Sequence, residues 1–103
     1  QEKLKARGIP SQIFPRYRVT NFSHTMTGGY TAGYYSYKWA EVLDCDAYDA
    51  FVETGDIFNQ EVAEKFRKYV LTPGGIDNGM VMYNNFRGRD PQIDALLKSN
   101  GLK

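Results

Sequence analysis

The sequence is poor in cysteine and histidine, side chains that bind metals or form cross-links. Its 103 residues include one cysteine, Cys45, and one histidine, His24. A single cysteine cannot form a disulfide within the chain, so the disulfide-stapled class of small proteins is excluded. Cys45 lies within a helical pattern, where packing as a small side chain is more typical than a nucleophilic role. A catalytic zinc site needs three protein ligands, so we expect this chain to bind no catalytic metal.

Charge of one sign and long apolar runs are also lacking. Lys and Arg number 13 and Asp and Glu number 12, for a formal net charge of +1. Because both signs are spread along the chain and the aromatic residues are not interleaved with basic ones, we expect no nucleic-acid partner. No apolar run approaches the ~20 residues of a membrane span, and no signal-peptide pattern occurs, so we expect no membrane partner.

Aromatic residues are concentrated between residues 28 and 40. This stretch reads GGYTAGYYSYKWA, with a glycine pair followed by four tyrosines and a tryptophan. On a helix, Tyr30, Tyr34 and Tyr37 are spaced by four and three residues and share one face. The opposite face carries Ala32, Tyr35, Trp39 and Val42. The face with three phenols is typical of the wall of a site, whereas aromatic residues at helical spacing also commonly form a core.

Helical patterns predict an all-α fold. Residues 1–23 are expected to form an irregular polar lead-in, since Pro10 and Pro15 discourage a helix there. Within residues 24–103 we expect a long helix at about 30–53, followed by three shorter helices.

The predicted long helix is apolar on both sides in its first three turns. Such a helix belongs inside a larger protein, because three short helices cannot cover both of its faces. The sequence also begins at Gln1 without methionine, so we expect a segment of a longer chain. Self-association of the excised segment would be one way to cover its apolar faces.

The aromatic stretch and its surroundings resemble a known enzyme family. His24, the Gly28–Tyr30 triplet, the run Ala32–Tyr37 and the run Trp39–Leu43 are similar to the C-terminal region of the family of zinc metallopeptidases that includes thimet oligopeptidase, oligopeptidase A and dipeptidyl carboxypeptidase. The similarity continues downstream through Phe66–Arg67, Leu71–Gly75, Phe86–Pro91 and Asp94–Leu97. It covers nearly the whole chain, from about Phe14 to Leu102.

The resemblance implies a role in peptide hydrolysis. In this family a zinc-bound water attacks the peptide carbonyl, and the zinc is held by a His-Glu-x-x-His motif with a further glutamate. That motif is missing here, so the resemblance implies that residues 24–103 are the C-terminal helical segment of the catalytic domain, with zinc held elsewhere in the full-length parent. The partners implied are a short peptide substrate and the remainder of that domain. The isolated chain is expected to be inactive.

The resemblance also implies which residues face the substrate. Tyr37 and Tyr30 are expected to be catalytic, with the Tyr37 hydroxyl donating to the developing oxyanion, a contact worth about 10²–10³ in rate by analogy with other oxyanion donors. His24 and Tyr34 are expected to bind substrate. Gly28 and Gly29 are expected to let the backbone approach a ligand closely.

Several alternatives stay open at this level. Gly33 resembles the oligopeptidase A and dipeptidyl carboxypeptidase branch, but the residues that bind a substrate's terminal carboxylate are not identified. Arg87 and Arg89 are candidates, although a structural role in clamping helix ends is the more common one for such arginines. A stand-alone helical module that binds peptides or proteins through its aromatic face is the alternative function. The compartment is expected to be the cytoplasm, with the periplasm as the alternative.

Overall fold

The structure, a computed structural model, describes residues 2–103. Over these residues the regular elements are all helical, which confirms the all-α class. The chain divides between Tyr35 and Ser36 into two compact units. Among the described residues, the helices are too short or too polar to cross a lipid bilayer.

The first unit consists of short helical turns joined by loops. Helix α1 spans Glu2–Lys5, a 3₁₀ turn spans Val19–Asn21, and helix α2 spans Ser23–Met26. Residues 2–35 are all at least partly accessible to solvent. This unit is therefore held by turns and local side-chain contacts rather than by a dry core.

The long helix begins later than the sequence pattern predicts. Helix α3 spans Ser36–Val52, so the expected range of about 30–53 is wrong at its N-terminal end and correct to one residue at its C-terminal end. Residues 31–35 form turns instead, with the Gly33 amide donating to the Tyr30 carbonyl at 3.2 Å. Glycine costs about 1 kcal/mol relative to alanine inside a helix. The Thr31 hydroxyl also donates to the Thr25 carbonyl at 2.9 Å, an interaction that competes with helix formation.

The later start of α3 removes the shared helical face predicted for the tyrosines. Tyr30 and Tyr34 precede the helix, and Tyr37 lies in its first turn. The predicted packing face is wrong for the same reason, since Tyr35 precedes the helix and its side chain is 73% exposed. Trp39 does lie within the longest helix, as predicted.

Three shorter helices follow α3, as predicted. Helix α4 spans Gln60–Phe66 and continues into a π-helical turn at Arg67–Leu71. Helices α5 and α6 span Gly79–Arg87 and Asp94–Ser99. The last helix begins at Asp94, and before it the Asp90 carboxylate accepts a hydrogen bond from the Asn84 side-chain amide at 3.0 Å.

Side-chain caps and a glycine set the ends of α4 and α5. The Asn59 side chain accepts from the Val62 amide at 3.1 Å, and the Asn78 side chain accepts from the Met80 amide at 2.9 Å. Both bonds satisfy amides that the first turn of a helix leaves without a partner. Helix α5 ends at Gly88, whose φ of 76° is the left-handed conformation that glycine adopts without strain.

The core of the second unit lies where α3, α5 and α6 meet. Helix α3 packs on α6, and α5 packs on the π-helical turn. The rings of Phe66 and Phe86 meet edge to face at 5.3 Å between centroids. The buried apolar residues are Ala50, Tyr83, Phe86, Ala95 and Leu96. Asp46 of α3 lies among them with 1% of its surface exposed.

The Asn59 cap can be tested locally. Replacing Asn59 by alanine removes the acceptor of the Val62 amide and should destabilise the first turn of α4 by about 1 kcal/mol. Hydrogen exchange of the Val62 amide should then accelerate about 5-fold. Glu64→Ala, an exposed change within the same helix, is the matched control. An unchanged exchange rate in Asn59→Ala would contradict this assignment of the cap.

Candidate functional site

The first unit brings three of the expected site residues together. The His24 ring lies edge to face against the rings of Tyr30 and Tyr34, at centroid distances of 4.9 and 5.7 Å. Phe22 packs against Tyr34 at 4.6 Å in the same edge-to-face geometry. These four side chains are called the aromatic cluster below. Edge-to-face pairs at such distances are favourable because the positive ring edge meets the negative ring face.

A glycine turn folds Tyr30 back over His24. A side chain at Gly28 would place its Cβ 2.6 Å from the His24 carbonyl oxygen, closer than real Cβ contacts. Gly29 follows with a φ of 81°, which strains any residue with a side chain. Both glycines are therefore required for this turn. We expected the backbone at Gly28 to approach a ligand closely. In the structure it closely approaches the His24 carbonyl of the same chain.

The aromatic cluster is ordered but not sealed from solvent. Tyr30 and Tyr34 remain 36% and 40% exposed although their rings pack against His24. The glycine turn is spanned by the Thr31 hydroxyl, which donates to the Thr25 carbonyl at 2.9 Å. The cluster thus combines apolar ring edges with phenol and imidazole polar groups on an accessible surface, a combination suited to contacting a peptide.

Tyr37 belongs to a different structural element from the residues of the aromatic cluster. It is the second residue of α3 and is 47% exposed. The first turn of a helix has backbone amides without intrahelical partners and a partial positive charge, which together favour a nearby anion. The position is therefore electrostatically suited to a group that stabilises developing negative charge.

The described residues do not fit a zinc ion. Across residues 2–103, no three side chains of the His, Cys, Asp or Glu type lie together as a metal's ligands would. The one histidine belongs to the aromatic cluster. Any zinc that acts with this segment would have to be held by residues of the protein other than these.

The sequence did not predict the group of hydrogen-bonded and ion-paired side chains that is centred on Asp46. Arg89 donates two hydrogen bonds to the Asp46 carboxylate, at 2.7 and 3.0 Å, and the Tyr83 hydroxyl donates to the same carboxylate at 2.5 Å. Arg87 lies 3.8 Å from Asp46 and binds Glu53 through two bonds of 2.6 and 2.7 Å. These five residues are called the Asp46 network below. No local sequence pattern points to it, because the residues that bind the Asp46 carboxylate lie 37 and 43 residues away.

The Asp46 network shifts the pKa values of Asp46 and Tyr83. Burial alone would raise the pKa of Asp46, but hydrogen bonds from Arg89 and Tyr83 and the nearby guanidinium charges outweigh it and hold the pKa below its usual value. Burial, together with the hydrogen bond to Asp46, raises the pKa of the Tyr83 phenol. The network therefore holds an ionised carboxylate and a neutral phenol at neutral pH.

Both arginines have structural partners, which favours a role in clamping helix ends over a role in binding the substrate carboxylate. Both guanidinium groups hold carboxylates of this chain, Glu53 and Asp46. Bidentate arginine–carboxylate pairs use the fork that a substrate carboxylate would need.

The sequence matches the model of one protein family and several curated proteins. The model of peptidase family M3 matches residues 2–102. Oligopeptidase A of Salmonella typhimurium is 48% identical over 98% of this chain, and that of Haemophilus influenzae is 52% identical over 80% of it. Dipeptidyl carboxypeptidase of Salmonella typhimurium is 41% identical over 98% of the chain. The chain spans only 15%, 12% and 14% of these three proteins, respectively.

The glycine turn predicts a difference between two Gly→Ala changes in one loop. Gly28→Ala places a methyl group against the His24 carbonyl and should displace the turn, whereas Gly33→Ala meets no atom within 4 Å. Nuclear Overhauser effects between the His24 and Tyr30 rings should be lost in Gly28→Ala and kept in Gly33→Ala. If both variants retain them, the steric role of Gly28 is wrong.

The lowered pKa of Asp46 predicts an acid-dependent loss of stability. A carboxyl group whose pKa is depressed by folding stabilises the protein above its unfolded pKa of about 3.9, and that stabilisation disappears as the pH falls through the folded value. The difference in urea midpoint between the wild type and Asp46→Asn should therefore be large at neutral pH and shrink in acid below about pH 4. Asp44→Asn, on the exposed side of α3, is the control. A difference independent of pH would contradict the ionised state of Asp46.

Proposed function

The chain belongs to peptidase family M3, and on that premise we propose that it forms the substrate-side wall of the active site of a zinc metallopeptidase that hydrolyses short peptides. The observation that carries the proposal is the aromatic cluster, in which one glycine turn gathers His24, Tyr30 and Tyr34 on an accessible surface. The names of the relatives, oligopeptidase A and dipeptidyl carboxypeptidase, support a peptide as the substrate. They also favour this function over the stand-alone binding module.

The aromatic cluster is proposed to bind the substrate peptide. His24 and Tyr34 offer an imidazole and a phenol that can hydrogen-bond to peptide groups, and the ring edges offer apolar contact area. Gly28 and Gly29 are proposed to offer their backbone to an extended peptide. No atom lies within 4 Å of a side-chain position at Gly29, whereas the space at Gly28 is taken by the His24 carbonyl of the chain itself. Tyr30, packed on His24, is proposed to act with Tyr37 on the reacting carbonyl.

Tyr37 is proposed to stabilise the oxyanion that forms when the peptide carbonyl is attacked. Its phenol can donate a hydrogen bond to that oxygen, and the first turn of α3 adds the positive end of a helix of 17 residues. Both contributions grow as negative charge develops, so they should act on the transition state more than on bound substrate.

Zinc is the metal that the family resemblance implies for the full-length protein. It would supply the activation of the attacking water. Because the described residues hold no suitable ligand set, we assign no residue of this segment to the metal. The proposed roles of His24 and the tyrosines concern the peptide alone.

The remainder of the parent catalytic domain is the proposed partner of this segment. Helix α3 has half-exposed large apolar side chains, among them Trp39 at 48% and Tyr48 at 57%. The chain spans about one seventh of the curated relatives, so most of the protein that would cover these side chains lies outside it. Self-association of the excised segment is the corresponding expectation when that cover is removed.

The choice between internal cleavage and release of C-terminal dipeptides depends on a receptor for the substrate carboxylate. Arg87 and Arg89 are engaged by Glu53 and Asp46. We therefore propose no role for Arg87 or Arg89 as the receptor of a substrate carboxylate.

The Tyr37 hydroxyl is tested by its removal in the full-length protein. Tyr37→Phe keeps the ring and deletes the donor, so kcat should fall on the order of 10²-fold while KM changes far less. Tyr35→Phe makes the same change at a side chain that is 73% exposed and outside the helix, and it should leave turnover nearly intact. A silent Tyr37→Phe beside a crippled Tyr35→Phe would refute the assignment.

The isolated segment tests whether peptide cleavage and zinc binding depend on the rest of the protein. The chain lacks a ligand set for zinc among its described residues, so it should cleave no short peptide and retain no stoichiometric zinc. Elemental analysis after dialysis and a peptide-cleavage assay measure the two outcomes. Chelator-sensitive cleavage by the isolated segment would overturn the proposal.

A further inference from the structure

The Asp46 network joins the middle of α3 to later parts of the chain. The two residues that bind the Asp46 carboxylate, Tyr83 and Arg89, follow it by 37 and 43 residues. Tyr83 belongs to α5, and Arg89 lies in the connection between α5 and α6. Arg89 also donates to the Asp90 backbone carbonyl at 2.9 Å, which fixes its guanidinium on the connection itself. The carboxylate of Asp46 is therefore bonded from two directions.

Directional bonds of this kind determine how a helix is oriented. Apolar contacts such as those around Ala50 and Leu96 hold α3 near α6, but burial of apolar surface is non-directional. Charge-assisted bonds to a planar guanidinium depend on angle as well as distance. Buried ion pairs contribute little net stability compared with apolar packing, so their clearest effect is on geometry.

The N-terminal half of α3 is less buried than its C-terminal half. Within this helix the buried residues are Asp46 and Ala50, both in the C-terminal half, while Tyr37 and Trp39 are about half exposed. Tyr37 precedes Asp46 by about 13 Å along the helix axis, so a tilt of about 5° at Asp46 moves Tyr37 by about 1 Å. A misplacement of about 1 Å can cost on the order of 10²-fold in rate.

We propose that Asp46, together with Arg89 and Tyr83, is a positioning group that sets the tilt and rotation of α3 and thereby aims the Tyr37 hydroxyl. This inference rests on the proposed function, which gives Tyr37 its role at the oxyanion. It assigns to three residues outside the aromatic cluster a contribution to turnover beyond their contribution to stability.

The central test is Arg89→Lys in the full-length protein. Lysine keeps the charge next to Asp46 but loses the bidentate fork, so the fold should be retained while the direction of α3 is loosened. We expect kcat to fall about 10-fold to 100-fold with KM changed by less than about 3-fold. Tyr83→Phe, which removes the 2.5 Å bond and keeps the ring, should act in the same direction.

A double variant separates positioning from general destabilisation. If the Asp46 network acts through the Tyr37 hydroxyl, Arg89→Lys should lower kcat much less in a Tyr37→Phe background than in the wild type. Full additivity of the two losses would show that the network acts through something else and would overturn the proposal. Asp44→Asn, an exposed change on the same helix, should leave kcat unchanged in both backgrounds.

The position of α3 can also be measured independently of catalysis. Trp39 lies two residues after Tyr37, so the fluorine NMR signal of fluorotryptophan at this position, assigned by its loss in Trp39→Phe, reports the N-terminal half of α3. The signal should shift or broaden in Arg89→Lys and stay in place in Asp44→Asn. A folded Arg89→Lys variant with an unmoved signal and full kcat would overturn the positioning role while Tyr37→Phe still impairs turnover. A silent Tyr37→Phe would instead remove the proposed function, and this inference with it.

Discussion

The carboxylate of Asp46 is the constraint around which the second unit is organised. A charge with 1% of its residue surface exposed must be paired, because an unpaired buried ion costs several kcal/mol. Its partners come from α5 and from the connection to α6, helices of 9 and 6 residues that would be marginal alone. Because the charge of Asp46 must be neutralised, its bonds hold α5 and the connection to α6 against α3.

The first unit is organised by a different constraint, the shape of a turn. It has no dry core among residues 2–35, and its order comes from four aromatic rings gathered by two glycines that tolerate no side chain. Such a loop can present polar groups on an accessible surface, which a packed core cannot. In the second unit, Tyr37 is carried by a helix instead, in the first turn of α3.

The structure gives Arg87 and Arg89 the structural role that the sequence favoured, and the reason is geometric. Arg87 and Arg89 resemble candidate carboxylate receptors in the sequence, and each does bind a carboxylate, but one from the same chain. An arginine fork has the same geometry for an internal aspartate as for the end of a peptide. Only the distance to Asp46 and Glu53 in three dimensions separates the two roles.

What the sequence determined by itself is local or carried by a contiguous motif: the all-α class, the three short helices after the long one, the end of α3, and the family indicated by the tyrosine stretch. These depend on caps, glycines and spacings within a few residues. The tertiary structure decided the start of α3, where a turn closed by Thr31 and the packing of Tyr30 and Tyr34 on His24 replaced the helical pattern. It also decided the partners of Asp46, because those lie 37 and 43 residues away and pairing over that distance depends on how the helices fold together.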